Sequence, residues 1–128
     1  MIDSGNSVRP VVARDRSHRL TGAGAFDALF RAGRRHQGRW IELVVAPALR
    51  DPGRAGLAVS RRSLRRAVDR NRWKRKVREA LRASRPALEA FDVIVRLKRP
   101  ANGPEIDSAA DEAARMLAAL VRPAGSSL

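Results

Sequence analysis

The chain contains no cysteine, which removes disulfides, cysteine-held structural zinc and thiol nucleophiles at once. Histidine is scarce as well: His18 and His36 stand far apart with no partner pattern, so both read as ordinary surface residues. Acids are few, 13 Asp and Glu against 27 Lys and Arg, and Asp51, Asp69, Asp92 and the rest do not gather into a metal-binding pattern. A stand-alone nuclease is therefore disfavoured. No run approaches the roughly 18 apolar residues that span a bilayer. The opening MIDSGNSVRPVVARDR lacks the continuous apolar stretch of a secretory signal. No lipidation signal or bulky amphipathic face suits a membrane surface. The expectation is a cytoplasmic protein without a membrane partner.

What is abundant is positive charge. The 128 residues suffice for one compact core, and they carry a formal net charge of +14 at pH 7. Such an imbalance opposes compaction by self-repulsion and makes sense mainly when a polyanion lies against the surface, so nucleic acid is the leading partner.

Residues 1–18 mix Ser, Gly, Asn, Pro and isolated charges without periodicity and read as a disordered basic tail. Folding is expected over residues 19–122, with a flexible C-terminus at 123–128. Phe26, Leu29 and Phe30 have helical spacing, and Gly33 supplies a stop. A short edge strand around Arg35 to Gln37 precedes a reversal at Gly38. The β-rich run from Arg39 to Pro47 and the apolar run from Gly56 to Val59 flank a turn at Asp51-Pro52-Gly53 and read as a hairpin. The block from Arg61 to Arg85 is helical in its second half, with Trp73, Val77, Ala80, Leu81 and Ser84 on one stripe and Pro86 marking the end. Phe91 to Leu97 reads as an inner strand and Asn102-Gly103-Pro104 as a breaker. A last helix, capped by Asp107 or Ser108, carries Ile106, Ala110, Ala113, Leu117 and Leu120 towards Arg122. The order helix, strands, helix, strand, helix implies one sheet with helices packed on it.

The central helix carries the chemistry. At 100° per residue, Asn71, Arg75, Arg78 and Arg82 fall on one stripe flanked by Arg72, Lys74 and Arg85. Guanidinium is always charged and matches phosphate oxygens bidentately, so this comb suits a folded RNA backbone. A solvated helix face is the bland alternative, but only Asp69 and Glu79 dilute the block, as local tethers, and too few i,i+4 pairs exist to offset the repulsion. Arg70 falls close to the apolar stripe, where it could cross the sheet surface into a groove. Phe26 and Phe30 lie i,i+4 on the first helix. Either both are core, or at least one lines a groove where an unpaired nucleotide stacks.

The segment RNRWKRKVRE, Arg70 to Glu79, resembles the signature helix of the bacterial ribonuclease P protein subunit. AGLAVSRR at Ala55 to Arg62, FDALFRAGRR at Phe26 to Arg35 and FDVIVRLKRP at Phe91 to Pro100 resemble its other blocks, in the same order. The resemblance implies an α+β fold: a single-domain α/β sandwich of order α-β-β-β-α-β-α. Its four-stranded mixed sheet would have a left-handed β-α-β crossover, ribosomal protein S5 domain 2-like, against the usual right-handed rule. It implies that the arginine-rich helix binds a catalytic RNA and that a cleft receives the single-stranded 5′ leader of precursor tRNA. Phe26 and Phe30 match the cleft aromatics. Ser60, Arg61, Arg62, Arg70, Asn71, Arg72, Lys74, Arg75 and Arg78 match basic and polar positions, and Arg35, Arg65, Arg66 and Arg82 join them as RNA-binding candidates. It further implies an accessory subunit without catalytic residues, Mg2+ held mainly by the RNA, one protein per RNA and a monomer when free.

Four departures stand out. One extra residue lies between Ser60 and Arg70, Leu64 or Arg65 replaces an expected glycine, Val44 stands where a cleft tyrosine is frequent, and Leu97 where a small residue is common. The alternative function is a structural, ribosomal-type RNA-binding protein, which would need the charge but no leader cleft. A DNA-binding architectural protein is disfavoured, since helix-turn-helix spacing and a dimer seam are both lacking.

Overall fold

Residues 91–97, FDVIVRL, form the strand around which the sheet is organised, because Val93, Ile94 and Val95 have no solvent exposure and only a central strand buries both faces. In the computed structural model, which describes residues 18–122, the elements run α1 (Ala23–Ala32), β1 (Arg34–Gln37), β2 (Ile41–Pro47), β3 (Ala55–Ala58), α2 (Ala67–Ala83), a 3-10 turn (Ala87–Ala90), β4 (Phe91–Leu97) and α3 (Gly103–Leu120). The sheet order is β1-β2-β4-β3. β2 pairs antiparallel with β1 and, from Ile41↔Leu97 to Pro47↔Phe91, with β4; β3 runs parallel to β4. This is the expected α+β, four-stranded mixed sheet.

The expected hairpin between β2 and β3 does not form, since β4 lies between them. Turn residues announce that the chain reverses, not which strand will hydrogen-bond to which. The most apolar strand takes the centre and separates the two. The reversal from β2 to β3 is held instead by Asp92 on β4, whose buried carboxylate accepts from Leu49 N at 3.3 Å and Arg54 N at 2.9 Å. The true hairpin is β1–β2, closed where Gly38 N donates to Ile41 O at 2.7 Å.

Alternation along the strands gives the sheet two apolar faces. Ile41, Leu43, Val45, Val93, Val95 and Leu97 face α2 and α3, which contribute Trp73, Val77 and Leu81, and Ile106, Ala110, Ala113 and Leu117. Burial of each large side chain stabilises the fold by about 1.5–3 kcal/mol. On the other face Val44 and Ile94 take Leu29 of α1 together with Leu20. The helix expected to start at Asp107 or Ser108 starts earlier. Asn102 is its N-cap, in a reciprocal capping box with Glu105, and Pro104 sits in the first turn. The breaker motif is thus itself the start signal, because proline is tolerated where the helix N–H groups lack partners anyway.

The expected tail and C-terminus fall outside the described residues, apart from His18. His18 departs from the surface role expected of it. Its carbonyl accepts from Ala55 N at 2.8 Å, its Nε2 lies 2.7 Å from Glu89 Oε2, and Leu20 N donates to Ala55 O at 2.9 Å, so residues 18–20 run along the start of β3. His36, on β1, is exposed as expected. No helix among the described residues is long and apolar enough to cross a membrane.

Candidate nucleic-acid interface

α1 covers only part of its sheet face. Phe26 is set against β3 because Gly56 has no side chain: a Cβ at Gly56 would lie 2.5 Å from the ring tip. Beyond that contact the face opens into a cleft of about 810 Å³ whose wall and floor include Phe30, Ser60, Arg62, Lys74, Arg96 and Lys98. A smaller hollow of about 170 Å³ includes Arg19, Phe26, Lys74 and Arg78, and shares Leu57 and Lys74 with the first. Among the described residues no acidic side chain lines either one. Phe26 and Phe30 therefore serve both alternatives: their rings pack on the α1-side cluster, and each also borders a hollow.

Three flanks of α2 do different things. Lys74 and Arg78 overhang the cleft side. Burial works hardest to lower the Arg78 pKa, with the nearby charge of Arg19 adding to it, although a guanidinium remains protonated at any ordinary pH. Asn71, Arg75 and Arg82 point outward and are exposed. Arg72 turns to the opposite flank, where its Nη2 reaches both Asp107 carboxylate oxygens at 2.9 and 2.8 Å, and Lys76 Nζ joins at 3.3 Å. The expected single comb is thus divided. Asp69 and Glu79 form no ion pair among the described residues. Asp69 sits in the first turn of α2, where a negative charge suits the helix dipole.

The loop before α2 is shaped from within. Ser60 Oγ accepts from Ser63 N at 3.1 Å, and of the two residues at the expected glycine, Leu64 is buried in the main core and Arg65 is exposed. Arg70 does not cross the sheet into a groove. Its Nη1 donates to Leu64 O at 2.8 Å and Arg65 O at 2.9 Å, so it fastens the loop that exposes Arg61, Arg65 and Arg66.

A group that sequence reasoning missed extends the basic surface. Glu42 is buried on the α1 face of β2 and accepts from Gln37 Nε2 at 2.6 Å and from Arg35 Nη1 and Arg96 Nη1 at 3.2 Å each. Burial alone pushes its pKa up, but the Gln37 and Arg35 hydrogen bonds, the Arg35 charge and the Arg96 hydrogen bond together hold it below the usual glutamate range. Arg35 also donates to Phe30 O at 3.0 Å and lies 5.4 Å from the Phe30 ring centre. The period-2 pattern puts Glu42 on the same face as Val44, but its place opposite Arg96 is set by the strand register, which the pattern does not contain.

The family model for ribonuclease P matches residues 15–121, almost the whole described chain. The chain belongs to the ribonuclease P protein family. Three relatives, each named ribonuclease P protein component, align over 86 residues. The one from Methylococcus capsulatus is 40% identical over 67% of this chain and 67% of its own. That from Chloroflexus aggregans is 38% identical over 66% of this chain and 63% of its own, under two thirds of its length. That from Thioalkalivibrio sulfidiphilus is 42% identical over 67% of this chain and 71% of its own. The fold matches the RNase P protein of Staphylococcus aureus with a TM-score of 0.65 at 22% identity, covering 77% of this chain and 94% of that one. It matches that of Thermotoga maritima at 0.63 and 22%, covering 79% and 96%.

As a ribonuclease P protein the chain is an RNA-binding participant in tRNA processing, and its departures from the family pattern find physical places. Val44 is fully buried beneath α1, so it offers no stacking surface there, and Leu97 fills the core under α2 and α3.

Proposed function

We propose that this ribonuclease P protein binds the catalytic RNA of the enzyme and, in the cleft beside α1, the single-stranded 5′ leader of precursor tRNA. The observation that carries this reading is the cleft lining, basic and aromatic and without an acid among the described residues: Phe30 and Phe26 stand at its borders, and Lys74 bridges its two lobes. Aromatic faces hold unpaired bases irrespective of sequence, and the cations around them neutralise the connecting phosphates. The outward flank of α2, with Asn71, Arg75 and Arg82, and the loop arginines Arg61, Arg65 and Arg66 then lie towards the catalytic RNA.

In this reading the RNA performs the hydrolysis that frees the mature tRNA 5′ end, and the magnesium ions that generate the nucleophile sit with the RNA. Among the described residues no three His, Asp or Glu side chains gather as a ligand set. The protein lowers phosphate repulsion between two RNAs and releases counterions on binding, which strengthens the complex most at low salt. One protein serves each RNA, and the free protein is a cytoplasmic monomer.

The test is cleavage of a precursor tRNA at low magnesium by a bacterial ribonuclease P RNA alone, by the protein alone and by both. Efficient cutting at the mature 5′ end only by the mixture is the expected result. Cutting by the protein alone would overturn the assignment of chemistry to the RNA. Absence of stimulation would favour a structural, ribosomal-type RNA-binding role.

A further inference from the structure

The charged group around Glu42 has features that sheet stability does not require. Glu42 is 5% exposed in its side chain, whereas Arg35 and Arg96, which converge on its Oε1 at 3.2 Å from either side, are 45% and 43% exposed. Replacing a buried ion pair by apolar side chains of similar volume is often neutral or stabilising. The neighbouring positions on this face, Val44 and Ile94, show that apolar residues fit here. Charge is also unbalanced. One carboxylate faces two guanidinium groups, and Lys98 is tied in through Gln37, whose Oε1 accepts from Lys98 Nζ at 2.7 Å. The carboxylate holds two like charges side by side, where they would otherwise repel. Arg96 commits only Nη1 to Glu42, and its side chain, 43% exposed, is among those that line the cleft. Arg35 is oriented by Phe30, through both the ring and the carbonyl. The two guanidinium groups therefore have fixed positions next to an aromatic wall of the cleft.

We propose that Arg35 and Arg96, clamped by Glu42, form a phosphate subsite that takes one backbone phosphate of single-stranded RNA where it passes Phe30, with Glu42 as the positioning residue. The inference rests on the reading that the cleft holds single-stranded RNA, and it adds a fixed point on the path across the sheet from β3 towards β1. A guanidinium already held in place loses little freedom on meeting a phosphate, so the contact is stronger than one made by a mobile surface arginine.

The sign of one substitution separates positioning from bulk charge. E42Q removes a negative charge, so long-range electrostatics alone predicts tighter RNA binding. If Glu42 positions the pair, E42Q weakens binding of precursor tRNA to the holoenzyme instead, by about tenfold, the loss of one charge-assisted hydrogen bond. Binding of leaderless mature tRNA stays unchanged. R96M, at a half-exposed position, gives a similar loss and lowers the log–log salt slope for precursor tRNA by about one. R96K recovers part of the affinity and all of the slope. Equal or tighter precursor binding by E42Q, or an R96M slope equal to that of the parent, overturns the subsite while the cleft reading survives. A parent holoenzyme that binds precursor and mature tRNA equally well overturns both.

Discussion

Phe26 and Gly56 meet so closely that the glycine's missing side chain is the space the ring occupies, a Cβ there lying 2.5 Å from Cζ. Both residues line the smaller lobe of the cleft, so this contact shapes it.

Gly56→Ala is expected to displace the Phe26 ring and to cost about 1–3 kcal/mol, the usual range for overpacking. Combining it with Phe26→Leu should restore most of the loss, which a thermal double-mutant cycle measures. Equal midpoints for Gly56→Ala and the parent would show that the ring yields freely.

Glu112 on α3 stitches a helix to a hairpin. Its carboxylate accepts from the backbone N–H groups of Arg39 at 2.8 Å, Trp40 at 2.7 Å and Ile41 at 2.9 Å. Glu112→Ala leaves partly buried donors without an acceptor and should cost about 1–3 kcal/mol. Glu112→Gln, which keeps an acceptor oxygen, should cost less. Urea midpoints at constant slope test the ranking.

The Arg72–Asp107 pair is 38% and 44% exposed, so solvent screens it. A double-mutant cycle with Arg72→Met and Asp107→Asn should give a coupling below about 1 kcal/mol. A much larger value would make this seam between α2 and α3 a principal support of the fold.

The Glu42 carboxyl has a lowered pKa in the folded protein, so its ionised form stabilises the fold at pH values above its unfolded-state pKa. That contribution is lost as pH falls through the lower folded-state pKa. Urea stability from neutral pH into the acid range should therefore fall less steeply for Glu42→Gln than for the parent. Parallel curves would remove Glu42 from the acid limb.

Most of the fold was legible because it is written in local periodicity. Trp73, Val77 and Leu81 marked the buried stripe of α2, and the Val-Ile-Val run of β4 marked an inner strand. The pairing of strands was not legible, since which strand neighbours β3 depends on burial summed over the whole chain. Asn102 was misread because asparagine, glycine and proline end one element and begin another with the same residues. At the site, charge identified the arginine-rich helix but not its division. Arg72 is drawn away by Asp107, distant in sequence, and Arg70 by the Leu64 carbonyl in the loop just before the helix, and a window confined to the helix reveals neither. The Glu42 group escaped for the same reason, being assembled from three strands.

The position of β4 also has a consequence for synthesis on the ribosome. Among the described residues it is the last strand yet lies between β2 and β3, and apart from the bridge at Arg19 it is the strand that β3 joins. A nascent chain that has emerged only as far as Arg85 can hold the β1–β2 hairpin and α2, but it has no sheet on which α2 can bury Trp73. Until residues 91–97 appear, the basic helix and its apolar stripe remain uncovered together. The sheet is thus completed late, and the core later still, when α3 has followed β4 out.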